Sequence, residues 1–291
     1  MTLPLICYIT WNRVGLTAQN LKALLDTKDD FELYILDNNS QDDTWKMVEQ
    51  IKDKRIVCKK RFEMNRGEVY AINYALSKRK KNQYFILVEN DILIKTNDWV
   101  TKFLATMEAF PELGLLGATN SIILSNEVKP LPQVKKKGEF GYYKVYQIRG
   151  CCNCFRPELL ELLGYFNEET GWADRDNCYR INKLTPFVTG YSSIIEVELT
   201  RSIPCKICLI HKQCTLLKEG TTCFEIYKEK DNYPQFTTAM KYKEAIYIHD
   251  TSIGKRSVYC ASIHDPESIN NHFYNKEWAL ENFQFFIDKA N

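Results

Sequence analysis

Along the first third of the chain, hydrophobic and polar positions follow two periods in turn. Leu3 to Ile9 is an apolar run of strand length, and it stops at Thr10-Trp11-Asn12-Arg13. Leu21, Leu24 and Leu25 then fall at helical spacing, with Thr17 upstream as the expected cap. Phe31 to Leu36 predicts a second strand, ended by Asp37-Asn38-Asn39-Ser40. Gln41-Asp42-Asp43 offers cap chemistry for a helix with Thr44, Met47, Val48 and Ile51 on one face. Arg55 to Cys58 predicts a short third strand, and Asn65-Arg66-Gly67 a turn. Val69, Ile72, Ala75 and Leu76 mark another amphipathic helix. The strand Tyr84 to Val88 follows and ends abruptly in Glu89-Asn90-Asp91.

Strands alternating with helices over short connections predict an α/β fold with a mostly parallel sheet flanked by helices. Right-handed crossovers bring every strand's carboxyl end to one edge, where ligands of such sheets bind. Three polar endings therefore converge: Thr10 to Arg13, Asp37 to Ser40, and Glu89 to Asp91. An unpaired carboxylate is costly to bury, so such a group finds a cation, a metal or water. Two carboxylates one residue apart can hold a hard divalent cation and the phosphates it carries. The alternative for Glu89 and Asp91 is a solvated turn, and for Asp37 a turn-forming Asx residue.

Composition changes this picture little. The chain has 291 residues, enough for one large domain or a domain with an appendage, and its formal charge of +2 marks neither a nucleic-acid-coating nor an acidic protein. The runs Lys78-Arg79-Lys80-Lys81 and Lys135-Lys136-Lys137 read as solvated segments. No apolar stretch has the length of a membrane span, and the N-terminus lacks a secretory pattern, so a cytoplasmic location is expected. Eleven cysteines, an odd count, then suggest free thiols. Cys151, Cys152 and Cys154 form one cluster, and Cys205, Cys208, Cys214 and Cys223 another. Cys205-Lys206-Ile207-Cys208 has the gap of a zinc knuckle, but the gap between Cys214 and Cys223 is wide, with His211 as a substitute ligand. Buried cysteine acting as a small hydrophobe is the default.

The chemistry along the sheet edge resembles the family 2 glycosyltransferases of the GT-A (Rossmann-like) fold. Thr10-Trp11-Asn12-Arg13 is similar to the family's Thr-Tyr-Asn-Arg, and Leu36 to Thr44 to its Val-Asp-Asn-Gly-Ser-Thr-Asp-Gly-Thr. Asn65-Arg66-Gly67, with Ala71 and Asn73 after it, resembles its Asn-x-Gly segment. Glu89-Asn90-Asp91 stands where the family has Asp-x-Asp, with a changed first residue that keeps its carboxylate. Downstream, Gly150 to Glu158 resembles the strand entering the acceptor side, and Gly164-Tyr165-Phe166-Asn167-Glu168 the family's Gly-Gly-Phe-Asp-Glu. Trp172-Ala173-Asp174-Arg175-Asp176, with Arg180, matches its Glu-Asp-x-Asp followed by Arg, the leading Glu being replaced by Ala173. The resemblance covers roughly residues 3–215. It implies a nucleotide-sugar-binding half at 1–125 and an acceptor-binding half at 126–215. Residues 216–291 form a C-terminal extension outside it.

The resemblance implies a metal-dependent, inverting transfer of a sugar from a nucleoside-diphosphate donor, UDP-linked, to a hydroxyl. The acceptor is a surface glycan, with a protein or a modified nucleic-acid base as alternatives. Asp91 would ligate Mn²⁺ or Mg²⁺, and His211 would complete the site or serve as a hydrogen-bonded histidine at a strand end. Glu89 would contact sugar or ribose, or metal-bound water. Thr10, Asn12, Arg13, Asp37, Asn39, Asn65, Arg66 and Asn90 would line the nucleotide. Asp174 would be the general base, with Asp176 as the alternative; both could instead favour a helix N-terminus. Trp172 would stack on a sugar or pack in the core. His249, with Gly254-Lys255-Arg256 after it, would be the other candidate to complete the metal site, or that segment would fold over the diphosphate with Lys255 or Arg256 as the cation. A nucleotidyltransferase would need a Gly-rich phosphate loop near the N-terminus, and none is present. A binding module that lost catalysis would have no physical reason to keep acidic residues at both positions.

Overall fold

A computed structural model describes residues 2–120, 133–149, 152–171, 173–200, 205–208, 211–225 and 234–290. Gly150, Cys151 and Trp172 lie outside the described residues. The predicted alternation is present: β1 (Leu5–Thr10), α1 (Val14–Leu25), β2 (Glu32–Asp37), α2 (Thr44–Gln50), β3 (Ile56–Arg61), α3 (Glu68–Leu76) and β4 (Phe85–Glu89). Next come β5 (Ile92–Ile94), α4 (Trp99–Ala109), β6 (Leu113–Thr119), β7 (Val134–Lys137), β8 (Phe140–Val145) and β9 (Cys152–Phe155). The chain then forms α5 (Pro157–Leu163), α6 (Asp174–Leu184), β10 (Val188–Leu199) and the short α7 (Thr215–Lys218). It ends with α8 (Pro234–Ser252), α9 (Pro266–Asn271) and α10 (Lys276–Ala290).

The strands form one sheet in the order β3-β2-β1-β4-β9-β6-β10-β8-β7. The first four are mutually parallel, and β6 is parallel to β10. β1 is buried along its whole length, because a parallel central strand is covered on both faces. Strand β9 enters antiparallel between β4 and β6. Its Cys152 and Cys154 are fully buried, as cysteines acting as small hydrophobes are.

Register carries the polar endings to one place. Thr10 stands opposite Asp37, and Ile9 opposite Glu89. β5 turns away directly after Asp91 and pairs antiparallel with the far end of β10. There the Thr200 N–H and hydroxyl both donate to the Asp91 carbonyl, at 2.8 and 2.9 Å. The strand end that presents Asp91 is thus fixed by a residue more than a hundred positions away.

Two local expectations are corrected. Thr17 is not a cap: α1 starts at Val14, whose N–H is received by Asp42 Oδ2 at 3.0 Å, from the loop after β2. Strand β3 continues past Cys58 to Arg61, because the pairing with β2 extends to Asp37.

The C-terminal segment is anchored on two buried carboxylates. Glu168 accepts hydrogen bonds from Asn73, Ser262, the Ile263 N–H and Tyr274, which oppose the upward push of burial on its carboxyl. Glu169 pairs with Arg256 and accepts the Asn275 N–H at 2.7 Å. The stretch Gly164 to Glu168 therefore joins α3 to the extension.

Candidate active site

Beyond the carboxyl ends of β1 and β4 lies a cleft of about 150 Å³ that opens to solvent. Its walls come from distant parts of the chain. Trp11 and Arg13 follow β1, Asn38 follows β2, Asn65, Gly67 and Glu68 lead into α3, and Glu89, Asn90 and Asp91 close β4. Ala173 and Asp174 open α6, and Phe286 and Lys289 come from α10. Ile9, Ile72 and Leu87 form an apolar floor.

The loop after β1 holds an unusual backbone. Asn12 and Arg13 have φ of 52° and 63°, and Asn39 after β2 has 62°. Left-handed conformation at non-glycine residues is uncommon and costs energy, so the surroundings must hold it. Asn12 is held by the Ser40 hydroxyl, which receives its N–H at 2.8 Å, and by the Gln41 N–H, which donates to its Oδ1 at 2.7 Å. The result turns Arg13 inward. Its guanidinium donates to Asp91 Oδ2 at 3.2 Å and to Asn90 Oδ1 at 2.6 Å. Asn90 also donates to Thr17 Oγ1 at 3.0 Å, so its amide positions Arg13.

Asp91 is 3% exposed, and its second oxygen, Oδ1, is buried without a hydrogen-bond partner. An orphaned buried carboxylate oxygen is expensive. Among the described residues, the cleft is lined by four carboxylates, Glu68, Glu89, Asp91 and Asp174, and two cations, Arg13 and Lys289. Hard oxygen donors in excess of positive charge suit Mn²⁺ or Mg²⁺. The residues present therefore fit such an ion, which Asp91 would hold.

The other expected site residues divide. Arg13, Asn65, Glu89, Asn90, Asp91 and Asp174 line the cleft; Thr10, Asn12, Asp37, Asn39, Arg66, Asp176 and His211 do not. Asp37 is fully buried and accepts the Ser40 N–H and hydroxyl at 2.9 and 2.5 Å, so it builds the turn as an Asx residue would. Burial pushes its carboxyl above the ordinary range, and the Ser40 hydrogen bonds and Arg61 oppose the shift. Thr10 is buried beneath the same turn. Arg66 lies over the Tyr70 ring, 5.2 Å from its centre. His211 opens a single 3-10 turn and faces a small cysteine-lined cavity near Gly15 and Leu16, rather than a strand end or the cleft.

Asp176 is corrected as an alternative base. It is buried on the inner face of α6 and accepts Arg180 Nε at 2.8 Å, both side chains being almost wholly inaccessible. Arg180 also donates to the Leu163 and Tyr165 carbonyls. The pair welds α6 to the end of α5 and holds this carboxylate away from the cleft. The cations expected near His249 are corrected as well. Arg256 is buried against Glu169 and lies over the Tyr247 and Phe273 rings, and Lys255 pairs with Asp250.

Phe286 and Lys289 were not signalled by any local motif. Gly67 has φ of 85°, and a Cβ there would stand 2.5 Å from the Phe286 ring. Only glycine lets α10 lie this close to the start of α3. The close approach brings Lys289 to the cleft from the far end of the chain.

Residues 5–164 match the family described as Glycosyl transferase family 2. The Escherichia coli protein WfaP, a UDP-Glc:alpha-D-GlcNAc-diphosphoundecaprenol beta-1,3-glucosyltransferase, is 36% identical over 90 residues. That is 31% of this chain and 33% of WfaP, so the chain matches about a third of that relative's length. In fold, the mannosyltransferase PcManGT from Pyrobaculum calidifontis, solved with GDP-Man and Mn²⁺, aligns with a TM-score of 0.52 at 16% identity, over 100% of this chain and 86% of that one. GalNAc-T7, solved with UDP, GalNAc and Mn²⁺, gives 0.51 at 12% identity, over 67% and 43%. The fold is the GT-A fold of these structures, the acidic ending of β4 lies within the matched residues, and this chain belongs to glycosyl transferase family 2.

Proposed function

We propose that the cleft binds a nucleoside-diphosphate sugar, UDP-linked, with Mn²⁺ or Mg²⁺, and passes the sugar with inversion to a hydroxyl of a glycan. The observation that carries this reading is that Asp91, with its unpartnered buried oxygen, and Asp174 line one cleft at the carboxyl edge of the sheet. WfaP's name, which pairs a UDP-sugar with a lipid-linked sugar acceptor, supports the UDP donor and the glycan. The Mn²⁺ in the PcManGT and GalNAc-T7 complexes supports the ion.

Bound at Asp91, the ion would stabilise negative charge on the leaving diphosphate. Arg13, held by Asn90 and Asp91, orients that carboxylate and adds positive charge at the same end of the cleft. Glu89 reaches the sugar or ribose, and Asn65 and Trp11 the nucleotide side. Asp174 takes the proton of the acceptor hydroxyl as its oxygen bonds to the anomeric carbon and the bond to the diphosphate breaks. Attack from the face opposite the leaving group inverts that carbon.

Thermal unfolding with a panel of nucleoside diphosphates and their sugars, each with and without Mn²⁺, tests the donor site. A ligand at about 100 times its Kd adds about 2.7 kcal/mol by mass action, or about 4 °C for a chain of this size. A rise that needs both UDP and Mn²⁺ is expected. A flat response to every pair overturns the reading, and a rise with GDP alone replaces the nucleotide.

Lys289 gives a second prediction. Facing the cleft from α10, it meets the diphosphate, so Lys289→Ala should weaken UDP binding about tenfold, or about 1.4 kcal/mol. Lys289→Arg should keep most of the affinity. Calorimetric titration with UDP and Mn²⁺ reads both, and equal affinity in all three proteins would remove α10 from the donor site.

A further inference from the structure

The wide gap between Cys214 and Cys223 closes in three dimensions. Helix α7 is a single turn, and Gly220, at φ of 79°, reverses the chain after it. Cys205, Cys208, Cys214 and Cys223 thereby come to line one cavity of about 20 Å³, with Gly15 and Leu16 of α1 on its far side. That is room for one water or one small ion. His211 borders the same cavity, exposed on its outer rim. All four thiols are free, and Cys223 Sγ accepts the Leu16 N–H.

Among its described residues, the segment around this cavity shows little ordinary support. Its helices are a turn or less each: Cys205–Ile207, His211–Gln213 and Thr215–Lys218. Among the described residues from 205 to 225, the buried hydrophobic side chains are Cys214 and Leu216. Helices so short do not persist in water alone. Small elements of this kind are held by cross-links or metals. Among the described residues, no three His, Cys, Asp or Glu side chains already stand as a ligand group. The four cysteines line the space from short turns, and rotation about their side chains is what an arriving ion would require.

We propose that Cys205, Cys208, Cys214 and Cys223 bind a structural Zn²⁺ as four thiolates. Four thiols give up four protons to solvent as the four Zn–S bonds form, leaving a closed tetrahedral site with no open position for chemistry. Its contact with Gly15 and Leu16 fixes the start of α1, and with it the loop that carries Arg13 into the cleft. The site is thus separate from the carboxylate site at Asp91, and it does not depend on the transfer reaction proposed above.

The test is metal content of the full chain purified under reducing conditions without added metal. About one zinc per chain is expected. It should fall by about tenfold or more in Cys214→Ser and Cys223→Ser, and stay in Cys260→Ser, a buried cysteine elsewhere. Exchange into Co²⁺ on the wild-type chain should give a thiolate-to-cobalt charge-transfer absorption, which carboxylate ligands do not produce. This second readout serves if the serine variants do not fold. Reduced protein with no zinc and no such absorption on adding Co²⁺ overturns the proposal, as does full zinc content in a Cys214→Ser/Cys223→Ser double variant.

Discussion

Asp91→Asn is expected to lower metal-dependent turnover by about 10²–10³-fold while the protein stays folded. The carboxylate has two separate tasks in the structure. Oδ2 receives Arg13 at 3.2 Å, and Oδ1 is buried with no partner. An amide oxygen can still receive Arg13, and Arg13 keeps Asn90 as a second acceptor at 2.6 Å. The structural cost is therefore modest, about 1–3 kcal/mol. The charge that would draw a divalent ion is lost outright. Turnover measured against Mn²⁺ concentration should show saturation in the wild type and a flat residual rate in the variant. If Asp91→Asn turns over normally with the same Mn²⁺ dependence, Asp91 is not the ligand, and Glu89 becomes the carboxylate to change next.

What the sequence made legible were features whose cause is local. An apolar strand that stops at a carboxylate is visible in any window of eight residues, and parallel topology does the rest. The endings at Arg13, Asn38 and Asp91 meet because right-handed crossovers place them on one edge. What was not legible depends on packing between distant segments. Asp37 and Asp91 look alike as acids at strand ends, yet Asp37 is consumed by Ser40 three residues on, and Asp91 is not. Nothing in the spacing of Phe286 and Lys289 points to the cleft; the pointer is Gly67, whose missing side chain makes room for a ring more than two hundred residues later. The wide Cys214–Cys223 gap misleads for the same reason, since a reversal at Gly220 undoes it. Asp176 did carry a signal: Arg180 stands four residues on, the spacing of an ion pair along one helix face, and both ends of that pair are buried.

That division between neighbouring acids makes the second large effect separable from stability. Asp174→Asn should reduce transfer by about 10²–10⁴-fold, the range that a positioned general base contributes, while UDP binding and Tm change little. Asp174 stands at the first position of α6 and lines the cleft, and the isosteric amide keeps its size and shape there. Asp176→Asn should do the reverse. It leaves Arg180 buried without its counter-ion and should cost about 3–5 kcal/mol in denaturant unfolding. Its surviving folded fraction should transfer at nearly the normal rate. Single-turnover transfer and unfolding measured on both variants give four numbers. Loss of transfer in Asp174→Asn with stability intact assigns the proton to that carboxylate. Transfer that persists in Asp174→Asn and vanishes from fully folded Asp176→Asn would require α6 to turn its buried face outward in the active state, and the base would then be Asp176.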